Sequence, residues 1–262
     1  MAMKSDNPCI SQVSFTQPNY LPAVSAWKGH GPFALWIVDA LKPRTVVELG
    51  THYGFSYFCF CQEVAALGLK ATCTAIDTWK GDEQAGFYDE SVFETVNRIN
   101  SQNYADFSRL VRSTFADAVS GFADKSIDLL HIDGRHRFED VKEDYETWLP
   151  KMSDRGVILF HDTQVTHEDF GVYKYWPTLA EKFPSFEFLH CYGLGVLGVG
   201  TLLPAGIRPL FEAARDETAR EKVRNAYARL GAALAGQPLR RVEPCPCGSG
   251  ERYKHCCGSL AA

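Results

Sequence analysis

The sequence predicts an α/β protein built on a doubly wound parallel sheet, with a small C-terminal appendage. Short apolar runs, such as residues 45–49 and 127–132, alternate along the chain with longer stretches of helical apolar spacing. Strands of a parallel sheet are buried on both faces and therefore appear as continuous apolar runs, and the helices between them connect one strand to the next. Four cysteines crowded near the end of the chain indicate the separate appendage.

The strands and helices of this sheet can be placed in order. In the helical stretches apolar residues recur every three or four positions, whereas in the strands they are consecutive. Right-handed crossovers make a doubly wound sheet the most economical arrangement of such elements. The glycine-rich stretch 193–203 is expected to form a hairpin of two buried strands. We expect the other strands at residues 45–49, 72–76, 110–111, 127–132 and 157–160, and helices around 27–41, 56–67, 92–99, 138–149 and 173–182.

Four regions are expected along the 262 residues. An irregular N-terminal arm, rich in proline and polar residues, occupies residues 1–26, and the α/β domain occupies 27–206. A charged helix follows over 207–236, and after a short linker the appendage occupies 239–262. With 45% hydrophobic residues the chain can bury a full core, which fits one large domain and a small extra module.

Composition and charge limit the classes of partner. A formal net charge of −5 without a concentrated basic face argues against a general nucleic-acid binder, because neutralising phosphates requires clustered lysine and arginine. The sequence shows neither a secretory signal nor an apolar run long enough to span a membrane. We therefore expect a cytoplasmic protein with reduced scattered cysteines that acts on a small molecule.

Acidic and imidazole side chains follow two of the predicted strands. Asp133 and His136 come directly after the fourth strand, and His161 and Asp162 come directly after the fifth. Ligands of a doubly wound sheet bind beyond the carboxyl ends of its strands. We therefore expect these four side chains to converge at one mouth of the sheet.

The turn after the first strand has the composition of a cofactor site. Glu48 lies near the end of the strand, and Gly50 and Gly54 lie in the turn that opens the next helix. Glycine lets a ligand approach the backbone, and the first N–H groups of a helix are free to bind it. Asp77, at the end of the second strand, can accept both hydroxyls of a ribose.

The spacing of these glycines argues against a dinucleotide. His52 and Tyr53 lie between Gly50 and Gly54, where a pyrophosphate would need bare backbone. A cofactor that has a ribose but no pyrophosphate fits better, and S-adenosylmethionine is such a cofactor. The alternative is that the acid and the two glycines only shape an ordinary turn between a strand and a helix.

Four linked motifs occur in a fixed order along the chain. They are VELGTHYG at 47–54, AIDTWKGD at 75–82, LHIDGRH at 130–136 and GVILFHD at 156–162. Together they resemble the class I S-adenosylmethionine-dependent methyltransferases, in the branch associated with sugar and glycan biosynthesis. The resemblance covers residues 27–202. It implies a Rossmann-like sheet of seven strands with a reversed last strand.

The resemblance also implies a set of cofactor-binding residues in the loops that follow the strands. Asp77 would bind the ribose, and Asp133, the acid after the fourth strand, would lie beside the sulfonium. The full expected set is Glu48, Gly50 and Ser56 at the methionine end, Asp77 and Asp133, Trp79, Ser113 and Thr114 near the adenine, and Thr51, Gly54 and Thr78 in the same loops.

Methyl transfer to a hydroxyl requires removal of a proton as the sulfonium loses its charge. A positioned base contributes about 10²- to 10⁴-fold, and His136, just beyond the fourth strand, is our candidate. Asp133 and Asp162 offer an alternative, because they could hold Mg²⁺, and His161 would shift the preference toward Mn²⁺ or another transition metal. A third interpretation is that these side chains only cap a helix and satisfy loop hydrogen bonds.

Three further residues near this site have a simpler expected role. His131 is expected inside the fourth strand as a core residue with its hydrogen bonds satisfied. Trp27 and His30 could cover the pocket, although a packing role fits their positions equally well.

The last cysteines form two pairs, Cys245-x-Cys247 and Cys256-Cys257, separated by eight residues. Zinc takes four thiolates in a tetrahedron, and so short a segment has too little apolar area to fold alone. The segment is similar to the SEC-C motif at the end of the SecA translocation motor. That resemblance implies a structural zinc and a protein- or ribosome-contacting module. Paired disulfides, or His255 in place of one thiolate, are the alternatives.

The leading functional hypothesis is a cytoplasmic enzyme that methylates an oxygen of a sugar or another small polar metabolite. The second hypothesis is a non-catalytic scaffold with the same fold, in which the appendage recruits a partner. The joint presence of Glu48, Asp77 and Asp133 favours the enzyme. No membrane partner and no direct nucleic-acid binding are expected.

Overall fold

The computed structural model describes residues 7–84, 86–167 and 169–259. The outer ends of the expected N-terminal arm, residues 1–6, and of the expected appendage, residues 260–262, lie outside the described residues. In the part of the chain that is described, no helix is both long enough and apolar enough to cross a bilayer.

A sheet of seven strands forms the centre of the protein. In chain order the strands are β1 (Thr45–Leu49), β2 (Thr72–Asp77), β3 (Ser108–Arg112), β4 (Ile127–Ile132), β5 (Met152–His161), β6 (Ser185–Phe188) and β7 (Leu194–Gly198). Their spatial order is β3-β2-β1-β4-β5-β7-β6. Strands β1 to β5 pair in parallel, whereas β7 pairs antiparallel with both β5 and β6. The seven strands and the reversed last strand implied by the resemblance are confirmed.

Helices cover both faces of this sheet. In chain order they are α1 (Gly31–Leu41), α2 (Phe55–Ala66), α3 (Glu90–Asn103), α4 (Phe115–Ala118), α5 (Phe138–Trp148), α6 (Val172–Ala180), α7 (Arg208–Ala213) and α8 (Glu217–Leu234). Helix α1 packs against α2 and α8, and α5 packs against α6. A short antiparallel hairpin, Gly81–Asp82 with Gly86–Phe87, lies between β2 and α3.

Alternate residues of β1 enter different halves of the core. Val46 belongs to the apolar cluster that includes residues of α1 and α2, whereas Val47 belongs to the cluster that includes Tyr145 and Trp148 of α5. Successive side chains of a strand point to opposite faces, so the two clusters lie on opposite sides of the sheet. Burial of each valine contributes about 1.5–3 kcal/mol relative to exposure.

The segment 207–236, expected to be one helix, contains two. Helix α7 ends at Ala213, and α8 begins at Glu217. Between them Asp216 has extended backbone (φ −113°, ψ 125°), and its carboxylate accepts a hydrogen bond of 2.7 Å from the N–H of Ala219. An aspartate in this conformation caps the helix that follows it. The capping contact therefore outweighs the helical spacing that predicted a continuous helix.

The stretch 193–203, expected to be a hairpin, supplies only one strand. β7 pairs with β5 on one side and with β6 on the other, so the hairpin is formed by β6 and β7. After β7 the chain packs on the start of β5, where the N–H groups of Gly200 and Leu202 donate to the carbonyls of Gly156 and Asp154. A Cβ on Gly200 would lie 2.3 Å from the Asp154 carbonyl oxygen. Glycine here permits close packing and does not mark a second strand.

Two strands extend beyond the apolar runs that predicted them. β3 continues on both sides of residues 110–111, and β5 begins at Met152, before the polar residues 153–155. All five residues of β3 pair with β2, and Met152 of β5 pairs with Ile127 of β4 before the register shifts. Hydrogen bonding between strands thus sets where they end, while the apolar pattern marks only their buried middle.

Candidate active site

A cavity of about 820 Å³ opens at the carboxyl ends of the central strands. Asp133, His136, His161 and Asp162 all line it, so the structure brings together the four side chains expected to converge. The turn after β1 and the loop after β2 line the same cavity. Strands β1, β2 and β4 are neighbours and parallel, and their end loops therefore meet although they are distant in sequence.

The turn after β1 packs directly on the loop after β4. Gly50 has a left-handed backbone (φ +85°), and a Cβ built on it would lie 2.0 Å from the carbonyl oxygen of Asp133. The N–H of Asp133 in turn donates to the Leu49 carbonyl at 2.8 Å. Only glycine fits this position. The contact fixes the distance between the glycine turn and the Asp133 side of the cavity.

Asp77 organises the same turn from the neighbouring strand. Its Oδ2 accepts hydrogen bonds from the N–H groups of Thr51 and His52, at 2.8 and 3.0 Å. Its Oδ1 accepts one from the N–H of Trp79 at 2.7 Å. Because each carboxylate oxygen offers two lone-pair sites, Oδ1 keeps one for a ligand. The sequence predicted a ligand contact for Asp77 but not these backbone contacts.

Glu48 and His131 form a buried pair that does not line the cavity. His131 Nδ1 lies 2.8 Å from Glu48 Oε2, and both side chains are fully buried. Burial raises the pKa of Glu48, while hydrogen bonds from His131 and Ser56 oppose the rise. Within the described ranges, Glu48 Oε1 and His131 Nε2 have no hydrogen-bond partner. His131 is thus a core residue, as expected, but only one of its ring nitrogens is satisfied.

Most of the expected cofactor set lies on the cavity wall, and three members lie behind it. Trp79 is buried, and its Nε1 donates to the His52 carbonyl at 3.0 Å. The N–H of Ser113 donates to the Asp77 carbonyl at 3.1 Å. These two residues, like Glu48, therefore support the wall from behind. The members that line the cavity are Gly50, Thr51, Gly54, Ser56, Asp77, Thr78, Thr114 and Asp133.

Two carboxylates and two imidazoles form a cluster at the other end of the cavity. His136 Nε2 lies 2.8 Å from Asp162 Oδ2 and 3.6 Å from Asp133 Oδ1. His161 Nδ1 lies 3.2 Å from each of the same two carboxylate oxygens. Each imidazole thus faces both carboxylates, and the cluster can exchange protons or hold a cation.

The electrostatics of the cluster favour charged groups despite burial. Burial lowers the pKa of His136, but Asp133 and Asp162 outweigh that effect and raise it to about 9. Burial opposes ionisation of Asp133, yet His161 and His136 hold the pKa of its carboxyl well below the usual value. Asp162 also has a lowered pKa, because the attraction of His161 outweighs its burial. The two carboxylates therefore favour their ionised forms, and the imidazoles of His136 and His161 favour their protonated forms.

The backbone carbonyl of Cys191 fixes the tautomer of His161. His161 Nε2 lies 3.2 Å from this carbonyl oxygen, which can only accept, so Nε2 carries a proton. Nδ1 then faces two carboxylates and either carries a second proton or offers its lone pair to a cation. Cys191, Tyr192 and Asp162 all have left-handed backbone, with φ of 48°, 68° and 61°. Such strain persists where the surroundings hold it and is typical of functional sites.

Trp27 and His30 have different roles, although covering the pocket and packing were both expected for each. Trp27 lines the cavity, and its ring lies 4.9 Å from the ring of His131. His30 is fully buried behind the cavity, and its Nε2 lies 3.2 Å from the same Cys191 carbonyl that bonds His161. Burial lowers the pKa of His30 well below its usual value, so this imidazole is neutral. His30 therefore packs and positions, and Trp27 contributes to the wall.

Sequence reasoning missed several aromatic residues of the cavity. Phe170 stacks on His136 with ring centroids 4.7 Å apart, and Tyr88 stacks on His52 at 4.5 Å. Tyr192 and Phe115 also line the cavity. Phe170, Tyr88 and Tyr192 lie outside regular elements, so no periodicity marked them.

The four C-terminal cysteines come together as their spacing predicts. The sulfur atoms of Cys245, Cys247, Cys256 and Cys257 all lie within 4.8 Å of one another. The Cys247–Cys256 and Cys256–Cys257 sulfur distances are 3.4 and 3.9 Å, far longer than a disulfide bond of about 2.05 Å. Four gathered thiols suit a tetrahedral zinc. His255 is exposed and is not part of this group.

Two sequence families match this chain. Residues 47–163 match the family described as a methyltransferase domain, and residues 243–259 match the SEC-C motif. An uncharacterized protein of Sinorhizobium fredii, y4gI, is 50% identical over 216 residues, which is 82% of this chain and 24% of that protein. The SecA protein translocase subunit of Ralstonia nicotianae is 58% identical over 40 residues, which is 14% of this chain and 4% of that protein. The chain thus spans about a quarter, or less, of the length of these relatives.

Solved structures show the same fold at low sequence identity. A putative caffeoyl-CoA O-methyltransferase from Staphylococcus aureus superimposes with a TM-score of 0.51 at 13% identity, covering 67% of this chain and 84% of that one. The O-methyltransferase TomG from Streptomyces achromogenes has a TM-score of 0.50 at 16% identity, covering 76% and 92%. Residues 47–163 thus match a methyltransferase domain, and the fold is that of the class I S-adenosylmethionine-dependent methyltransferases. This chain joins a methyltransferase domain to a C-terminal SEC-C motif, as its sequence predicted.

Proposed function

We propose that the chain transfers a methyl group from S-adenosylmethionine to an oxygen of a sugar or another small polar metabolite. The observation that carries this proposal is the position of His136, whose Nε2 lies 2.8 Å from Asp162 in the cavity that also contains the glycine turn. One cavity thus offers a cofactor position and a group that can accept a proton.

The residues around the glycine turn fit S-adenosylmethionine. The close approach of Gly50 to Asp133 leaves backbone rather than side chain at the cavity wall. Asp77 Oδ1 keeps a lone pair for a ribose hydroxyl. Thr51 Oγ1 is buried and, among the described residues, has no hydrogen-bond partner, so it is available to a polar methionine end. Asp133 is ionised and would stabilise a positive charge beside it.

His136 would remove the proton from the acceptor. S-adenosylmethionine, when bound by these residues, would supply an electrophilic methyl group for the acceptor oxygen and would leave as a neutral thioether. Nε2 of His136 faces the carboxylates of Asp133 and Asp162 and would keep its proton, so the hydroxyl proton would pass to Nδ1 of neutral His136, and the two carboxylates would stabilise the imidazolium. Phe170 stacks on the imidazole and keeps water from that ring face. Because the pair with Asp162 favours the protonated form, His136 acts as a base only after it has lost its resting proton.

A divalent cation is the second candidate for activating the acceptor. Oxygen atoms of Asp133 and Asp162 and a nitrogen of His136 lie within 4.8 Å of one another. Their mixed oxygen and nitrogen donors, with His161 Nδ1 beside them, suit Mn²⁺ or another transition metal better than Mg²⁺. In this arrangement the cation would polarise the acceptor oxygen and His136 would be a ligand rather than a base.

The size and rim of the cavity favour a small polar acceptor. Ligand pockets commonly measure about 300–1,000 Å³, so about 820 Å³ leaves room for the cofactor and a modest second molecule. The rim beyond the cluster carries Arg135, His167 and Tyr192. These side chains can form hydrogen bonds with hydroxyl groups, which supports a sugar or similar acceptor.

We further propose that the C-terminal cysteines hold one structural zinc and that the appendage contacts a protein or ribosome partner. Four thiolates leave no open position on zinc, so the ion would not take part in the chemistry. In the part of the chain that the structure describes, no disulfide joins any of the cysteines, which supports a reducing compartment such as the cytoplasm. The proposed boundaries remain 1–26 for the arm, 27–206 for the methyltransferase domain and 239–262 for the appendage.

The proposed function is tested by binding and transfer. Calorimetry should show one molecule of S-adenosylmethionine, or of its demethylated product, per chain. Label from S-adenosylmethionine should then appear in a small molecule of fractionated cell extract, and the transfer should fall in His136→Ala. Tight cofactor binding without transfer to any fraction would favour the scaffold hypothesis. Absence of cofactor binding would refute the assignment.

A further inference from the structure

A second cavity, of about 490 Å³, lies beside β6, the strand at one edge of the sheet. It is lined by the end of α6, the residues that lead into β6, and the junction of α7 and α8. β7 is antiparallel to both β5 and β6, so β6 runs in the same direction as β5, and its first residue, Ser185, lies level with Ile158. Among the described residues the two cavities share no lining residue.

The floor of this second cavity is aromatic. Trp176, Phe186 and Phe211 line it and are almost completely buried, and Phe183 is half-buried beside them. The first three rings are already covered by the protein, so Phe183 is the ring of this floor that can cover the flat or apolar body of a ligand.

The rim of the cavity is positively charged. Arg215, Arg220, Arg224 and Lys182 line it, against two acids, Glu181 and Glu187. The carboxylate of Glu187 already accepts a hydrogen bond of 2.8 Å from Gln164. Within the described residues, no ion pair joins Arg215, Arg220 or Lys182 to a carboxylate. In a chain with a formal charge of −5, this local excess of positive charge stands out.

Two of the guanidinium groups are held in place by the backbone. Arg224 Nε donates to the Glu187 carbonyl at 2.7 Å, and Arg220 Nη1 donates to the Ala214 carbonyl at 3.1 Å. Each guanidinium has five N–H groups, so both retain donors for a ligand even though Arg224 also bonds Glu221. A ligand that binds them would not have to pay the ordering entropy of long flexible side chains.

We propose that this second cavity binds a phosphorylated small molecule whose aromatic or apolar body packs against Phe183. The planar fork of arginine matches the geometry of a phosphate, and several fixed cations favour a dianion over a single carboxylate. The proposal does not depend on methyl transfer, because the site shares no residue with the candidate active site.

The test uses phenyl phosphate as the probe and the full-length protein. Calorimetry should show saturable binding of one phenyl phosphate, at least tenfold tighter than phenol, inorganic phosphate or benzoate. Arg215→Gln combined with Arg220→Gln should weaken that binding at least tenfold. The matched control is Arg229→Gln, because Arg229 also lies on α8 but pairs with Glu243 outside the cavity; this variant should bind as the unaltered chain does.

Three results would overturn the proposal. The first is that phenyl phosphate shows no saturable binding at millimolar concentration. The second is that phenol binds as tightly as phenyl phosphate. The third is that Arg229→Gln weakens the binding of phenyl phosphate as much as the double substitution does. Thermal unfolding of each variant verifies that the substitutions leave the fold intact. If benzoate binds as tightly as phenyl phosphate, the site recognises carboxylates and the phosphate assignment is wrong. Binding is measured without S-adenosylmethionine, so its outcome is independent of the proposed methyl transfer.

Discussion

His136 Nε2 and Asp162 Oδ2 lie 2.8 Å apart, and the two residues come from loops after different strands, β4 and β5. The pair holds the imidazole in its charged form, since Asp133 and Asp162 raise the pKa of His136 to about 9 against the effect of burial. A base must be neutral to accept a proton. This contact therefore sets the pH at which His136 can act.

The first prediction concerns pH. If neutral His136 is the base, kcat/KM should rise with pH and level off above about 9, since deprotonation of the free enzyme's imidazole precedes proton removal from the acceptor. Asp162→Asn removes one of the carboxylates that raise this pKa, so the rise should shift to lower pH. A pH–rate profile of both proteins provides the measurement. A profile that stays flat from about pH 6 to about pH 10 would exclude this role.

The second prediction concerns the base itself. His136→Ala should lower kcat by about 10²-fold or more while the dissociation constant for S-adenosylmethionine changes little, because the imidazole acts mainly in the transition state. His255→Ala is the control, since His255 is an exposed histidine of the appendage. Turnover and calorimetry on both variants make the comparison. Full activity in His136→Ala would remove the histidine hypothesis.

The third prediction separates a base from a cation. If Asp133, His136 and Asp162 hold a divalent ion, EDTA should abolish transfer and Mn²⁺ should restore it more effectively than Mg²⁺. The zinc proposed at the cysteines could also be removed by a chelator, so the assay is repeated on a chain truncated at Gln237. Undiminished activity of the dialysed, EDTA-treated truncated protein would instead support the metal-free mechanism.

The fourth prediction concerns the cofactor turn. Asp77→Ala should weaken S-adenosylmethionine binding at least 10²-fold, because it removes a candidate ribose acceptor and also leaves the N–H groups of Thr51, His52 and Trp79 without their partner. Asp124→Asn is the matched control, since Asp124 is exposed and pairs with Lys151. Titration calorimetry of both variants tests the expectation. Unchanged affinity in Asp77→Ala would disprove the ribose assignment.

The fifth prediction concerns the appendage. Truncation at Gln237 should remove one bound zinc per chain and leave turnover within a few-fold, because Cys245, Cys247, Cys256 and Cys257 lie outside the candidate active site. Cys247→Ser in the full chain should lose the zinc in the same way. Metal analysis and transfer assays measure both effects. A truncated protein that binds cofactor but cannot turn over would place the cysteine cluster in the chemistry.

The sequence predicted the strands of the sheet better than it predicted the helices and loops around them. β1 and β4 are continuous apolar runs because both of their faces are buried, and residues that follow such runs, such as Asp133 and Asp162, must lie at the mouth of the sheet. The position of these residues at strand ends could therefore be predicted from the sequence. The break between α7 and α8 depended on one capping contact of Asp216, which the apolar spacing does not record.

The contacts between side chains inside the candidate active site could not be predicted from the sequence. Nothing in the chain order indicates that His136 and His161 face the same two carboxylates, or that one backbone carbonyl bonds both His30 and His161. These contacts depend on rotamers and on left-handed backbone at Cys191 and neighbouring positions. Aromatic partners in loops, such as Phe170, likewise show no periodicity.

The near-contact of Gly50 with the Asp133 carbonyl has a practical meaning for redesign. Because a Cβ at residue 50 would clash with the Asp133 carbonyl, and the Asp133 N–H donates to the Leu49 carbonyl, moving the glycine turn relative to the loop after β4 would disrupt one of these contacts. New acceptor preferences are therefore best sought in the outer wall, at Tyr192, Phe170 and Val24, which line the cavity at loop positions outside the sheet. A library confined to these positions would vary the acceptor while the donor geometry stays constant.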